Sequence, residues 1–152
     1  MNPQAAQSYL RTRVLTATPE QLQMMLYDGA IRFAEQARAA LQKQDFENTF
    51  ANISRAQKIL TELNGGLKHK VAPDLCGKLA SLYNYIYRKL VEASAHHRLD
   101  SLDEALKLLR FQRETWAMLL GKLAQEKAAT HAARLDMPEP SAAMEASISI
   151  RG

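Results

Sequence analysis

A metal ion or an activated nucleophile is the first chemistry to look for in a chain with 4 histidines, 1 cysteine and 16 acids. A di-iron carboxylate site takes a Glu-x-x-His pair from each of two helices, with further glutamates facing inward. The nearest match is Glu92 and His96, four residues apart at the end of a helical pattern, with nothing like it elsewhere. His69, His96, His97 and His131 all fall near loops or helix ends, where a solvated imidazole is the simpler reading. Cys76 has no second cysteine and no neighbouring histidine to hold a metal or activate a thiolate, so it reads as a small buried apolar residue. Gly65-Gly66 is followed by Leu67 and Lys68, which is no phosphate-cradling pattern. Asp28 stands among apolar residues, and either solvent or Arg32 at i+4 satisfies it. No constellation supports catalysis, and neither a metal nor a cofactor is expected.

The net charge of +4 and pI near 9.3 raise nucleic acid as a ligand. Lysine and arginine are scattered, however, and the longest basic run is Lys68-His69-Lys70. A dispersed excess of this size reads as a solvated surface, so no nucleic-acid partner is expected. The single cysteine excludes an internal disulfide and suits a reducing cytoplasm. The first residues show neither a basic nor an apolar leader segment, and no run is long enough for membrane insertion.

The elements that would position any site are helices. Thr18, Pro19 and Gln21 form a capping box with proline at the first helical position, opening a helix over about residues 19–43. Asp45 caps a second, 46–66, with Phe46, Phe50, Ile53, Gln57, Leu60 and Leu67 as its inward stripe, ended by left-handed glycine at Gly65-Gly66. Pro73 and Asp74 open a third, with Leu75, Leu79, Leu82, Ile86, Leu90 and Ala93 inward, fading at His96-His97-Arg98. Ser101 with Glu104 makes a capping box for a fourth, whose pattern weakens towards Ala133. Residues before Thr18 form a short arm carrying Tyr9, Leu10, Val14 and Leu15, which must dock on something. The pattern predicts an all-α, antiparallel up-down four-helix bundle with a short N-terminal arm. Residues 1–135 are read as one domain and 136–152 as a flexible tail.

The first long helix has more apolar surface than one core requires. Leu22, Met25, Leu26, Gly29, Ala30 and Phe33 lie on one stripe, and Met24, Tyr27 and Ile31 on another roughly opposite. The second helix adds a shoulder of Asn52, Ala56, Ile59 and Leu63 beside its stripe. Either an irregular bundle with its docked arm absorbs this surface, or it forms a groove for a segment of another protein.

The quoted residues resemble the flagellin-specific export chaperone family, FliS. The resemblance rests on Thr16-Ala17-Thr18-Pro19-Glu20-Gln21-Leu22 leading into Met25-Leu26-Tyr27-Asp28-Gly29-Ala30-Ile31. It continues through the block from Asn52 to Asn64, the block from Leu79 to Leu90, and weakly from Leu108 to Trp116. Two positions depart from the family pattern: Val71–Gly77 replaces a Gly-Gly-Glu stretch, and Asn84 replaces an aspartate. The resemblance implies a non-enzymatic, monomeric helical chaperone of the bacterial cytoplasm. It would bind the C-terminal segment of flagellin 1:1, preventing premature polymerisation and keeping flagellin competent for flagellar type III secretion. Flagellar export-gate components are further partners to test. The arm, through Tyr9, would cover part of the empty groove. The candidate flagellin-binding residues are Tyr9, Met24, Tyr27, Ile31, Asn52, Ala56, Ile59 and Leu63, with Ala56→Glu expected to abolish binding without unfolding the protein. A small basic helical nucleic-acid-binding protein is the rival reading, resting on pI alone.

Overall fold

The computed structural model describes residues 2–136, and its regular secondary structure there is entirely helical. Five helices follow in order: α1 (Pro3–Thr16), α2 (Pro19–Gln42), α3 (Phe46–Gly65), α4 (Pro73–His96) and α5 (Leu99–Asp136). Beside the four long helices, the expected N-terminal arm or helix is a 14-residue helix in its own right. Asn2 caps it by accepting from the Gln4 N–H, and Pro3 occupies the start of the first turn. Ala17 and Thr18 then adopt extended backbone, as the residue before a proline favours, which separates α1 from α2. The chain divides into two compact units, Met1–Trp116 and a second beginning at Ala117. The expected tail, from Met137 onward, lies outside the described residues.

The start signals at α2 and α3 behave as expected. Thr18 Oγ1 accepts from the Gln21 N–H and Gln21 Oε1 accepts from the Thr18 N–H, closing the box. Asp45 accepts from the Asn48 N–H and side-chain amide, and these bonds hold its carboxyl below the ordinary carboxylate range. Other boundaries differ. Gly66 ends α3 in right-handed geometry (φ −82°), while the left-handed positions are Gln44 (φ 58°) and His97 (φ 52°). The Ser101/Glu104 capping box does not form. Ser101 Oγ donates to Glu92, and Glu104 instead accepts from the Tyr85 hydroxyl and pairs with Lys89.

The core lies in the first unit, where α2 to α5 meet. Helix α2 contributes Tyr27 and a run of alanines (Ala30, Ala34, Ala37); α3 contributes Ile53, Ala56, Leu60 and Leu63. Helix α4 adds Tyr83, Ile86, Leu90 and Ala93, and α5 adds Leu102, Ala105, Leu106 and Leu109. The small residues on α2 let its backbone approach α3 closely. At Gly29 an added Cβ would lie 3.1 Å from the Ile59 terminal methyl. On the outer side, Asp28 pairs with Arg113, Glu35 with Arg110 and Arg38 with Asp103, and the Trp116 indole N–H donates to the Glu20 carbonyl at 3.0 Å. Rising numbers on α2 thus meet falling numbers on α5.

Within the second unit, the residues from Gly121 to Asp136 are helical and exposed throughout. None of the described helices is long and apolar enough to cross a membrane.

Candidate docking site

Helix α3 lies between α2 and α4, and that position decides which of its faces is core. Thr49, Asn52, Ile53, Ala56, Leu60 and Leu63 are buried. Phe46 and Phe50, expected inside, are 43% and 64% exposed. Phe46 instead stacks on the His97 ring at 3.8 Å, joining the α2/α3 turn to the α4/α5 turn. The shoulder read as a surface is therefore largely the floor of the bundle.

The eight candidate residues separate into groups. Tyr27, Asn52 and Ala56 are buried and lie beneath the surface rather than on it. Tyr27 Oη is 2.6 Å from Tyr83 Oη and also accepts from the Gln23 amide at 3.3 Å. Burial, then the bond to Tyr27, pushes the Tyr83 hydroxyl far above its ordinary pKa. The Asn52 amide nitrogen donates to the Asn48 carbonyl, whereas its Oδ1 is buried without a partner among the described residues. Met24, Ile31 and Ile59 are half-buried, the last two packed against the core. Leu63 is buried but borders a cleft. Tyr9 is 70% exposed, and α1 buries none of its residues. The second stripe of α2 is thus no free face: Tyr27, its centre, joins the core.

Two clefts flank the C-terminal half of α3. One, of about 480 Å³, lies against α2 and is lined by Pro19, Leu22, Gln23, Leu26, Leu63 and Gly66 among others. The other, of about 210 Å³, lies against α4 between Leu60, Thr61, Asn64, Tyr83, Asn84 and Tyr87. Asn64 Oδ1, at that second cleft, is buried and has no hydrogen-bond partner among the described residues. Clefts with leucine side chains in a partly polar lining, and at one of them a carbonyl acceptor that an N–H donor would satisfy, suit a bound polypeptide. Sequence periodicity missed the first cleft because it assigned Leu22 and Leu26 to the core stripe, and Leu22 proves exposed. Higher on the α2/α3 interface, Arg32 and Arg55 lie over the Phe33 ring, 5.1 and 5.8 Å from its centroid.

Among the described residues no three His, Cys, Asp or Glu side chains gather as a metal site would require. Cys76 is free and buried. The described residues thus form an all-helical bundle with grooves on both sides of α3.

Comparison with known proteins makes that description specific. The family model described as flagellar protein FliS matches residues 1–123, and the chain belongs to the FliS family. The flagellar secretion chaperone FliS of Bacillus subtilis (strain 168) is 34% identical over 115 residues, covering 76% of this chain and 84% of its own. The Salmonella typhimurium flagellar secretion chaperone FliS is 30% identical over 118 residues, covering 77% and 87%. A solved structure described as a flagellar chaperone from bacteria matches with a TM-score of 0.64 over 78% of this chain and 97% of its own. At 18% identity, that likeness is one of fold.

Proposed function

We infer that the protein is a flagellar export chaperone: it binds flagellin and is not an enzyme. Family membership carries this reading, and the clefts beside α3 supply surface on which a polypeptide can lie. The client segment is flagellin's C-terminal one, bound 1:1 by a cytoplasmic monomer built on an antiparallel bundle of the four long helices. An extended or helical segment orders on binding and loses conformational entropy, which burial of apolar area must offset. At about 25 cal/mol per Å², about 2,000 Å² of buried apolar surface would contribute on the order of 50 kcal/mol before the ordering cost. Occupying the segment that flagellin uses for assembly blocks polymerisation by competition and keeps the subunit exportable.

Client contact falls to Met24, Ile31, Ile59 and Leu63, while Tyr27, Asn52 and Ala56 shape the floor beneath them. Tyr9 makes contact through movement of α1, and export-gate components bind the loaded chaperone. The test is co-expression with intact flagellin and with flagellin lacking its C-terminal segment. Co-purification of the intact protein alone is the expected result. Equal recovery of both, or of neither, overturns the assignment.

A further inference from the structure

Two of the three acids of α2, Asp28 and Glu35, are engaged by α5. Asp28 accepts from the Arg113 Nε at 2.9 Å and Glu35 from Arg110, both across to α5. Arg32, for which Asp28 stands one turn away, therefore does not pair with it. Arg32 lies over Phe33 instead, and Arg55 reaches the same ring from α3. Among the described residues neither guanidinium forms an ion pair with a carboxylate. The neighbours of Arg55 one turn away on α3 are Ala51, Asn52, Lys58 and Ile59, none of them acidic. Two like charges within 6 Å of one ring centre repel each other, and an anion that reaches both would relieve that repulsion. Guanidinium forks also match a carboxylate in two-point geometry.

This cationic point belongs to the same α2/α3 seam as the cleft lined by Leu22, Leu26 and Leu63. Going from Leu26 at the cleft to Phe33 is seven residues, about 10 Å along a helix, with the close Gly29–Ile59 approach between. The chain's own arm is a poor occupant for the upper end, because α1 carries Arg11 and Arg13 and no acid. We propose that this seam receives a client segment whose apolar side chains fill the cleft and whose carboxylate, about two helical turns away, is held between Arg32 and Arg55. The proposal rests on the flagellin-client reading and adds what the client must carry.

The test is calorimetric titration with a peptide of flagellin's C-terminal segment, and with the same peptide bearing Asn and Gln in place of Asp and Glu. Each is titrated into the wild type and R32Q/R55Q at low salt. The double variant should bind the acidic peptide about ten-fold more weakly, the range of two partly screened charge contacts. The amide peptide should bind both proteins alike, at that weaker level. Far-UV circular dichroism checks folding, and R32K/R55K, which keeps the charge without the fork, should fall between the two. Equal weakening for both peptides, or none, overturns the proposal while leaving the client reading intact. So does a client-free dimer on gel filtration that depends on the two arginines, since the seam would then belong to a second copy. Absence of wild-type binding to either peptide overturns both readings.

Discussion

Removing one hydroxyl from the Tyr27–Tyr83 pair should cost more than removing the other. Both rings are 2% exposed and their oxygens stand 2.6 Å apart. Tyr27 has a second partner, since the Gln23 amide donates to it at 3.3 Å, and Tyr83 has no other side-chain partner among the described residues. Tyr27→Phe strands the Tyr83 hydroxyl in the core, at about 1–3 kcal/mol for an unpaired buried polar group. Tyr83→Phe leaves Tyr27 its bond with Gln23 and should cost about 1 kcal/mol. The double variant keeps the shape of both rings and strands neither oxygen. It should therefore be destabilised by less than the sum of the singles, with a coupling of about 1 kcal/mol. Urea titration followed by far-UV circular dichroism measures all three, and each kcal/mol should move the thermal midpoint about 2–4 °C. Costs that simply add, or Tyr83→Phe proving worse than Tyr27→Phe, would refute the reasoning.

The same pair sets an alkaline limit. The folded Tyr83 pKa is raised, so the unfolded chain releases that proton first and stability falls as pH rises through about 10, being fully present below it. Absorbance at 295 nm should show Tyr83 titrating only with loss of helicity. Ala56→Glu would place a charge at a fully buried contact, costing about 3 kcal/mol or more, so the variant should melt far below the wild type. The folded but non-binding outcome expected from sequence is corrected accordingly. Deleting residues 1–16 should leave the melting temperature of the remainder unchanged, because α1 buries no side chain. Calorimetry with the flagellin peptide on that truncation should show changed affinity if Tyr9 engages the client.

Helix starts were the legible part of the sequence. The Thr18 box and the Asp45 cap are local devices, complete within three or four residues, and both form. The inward face of α3 was legible only in part: Ile53 and Leu60 are core as expected, but two apolar stripes sit side by side on the helix and its neighbours choose between them. Packing between α2 and α4 favours the narrow side with Ala56, leaving Phe46 and Phe50 outside. Large residues thus misled where small ones permitted close approach. Asp28 failed for a related reason: a residue four positions away competes with Arg113, 85 positions away in sequence, and only the fold shows which wins. Tyr27 was visible as a residue without an obvious core, but its partner on α4 was not.

Trp116 is the only tryptophan of the chain, and its indole N–H reaches the backbone of Glu20, in the first turn of α2 and two residues after Thr18 of the extended Ala17 and Thr18 linker. The molecule therefore carries an intrinsic fluorophore beside the joint from which its N-terminal helix departs. Rearrangement at that joint would change the hydrogen bonding and polarity around one indole. Emission wavelength and quenching by iodide can then follow the free and occupied states in real time, without labels, in the unaltered protein.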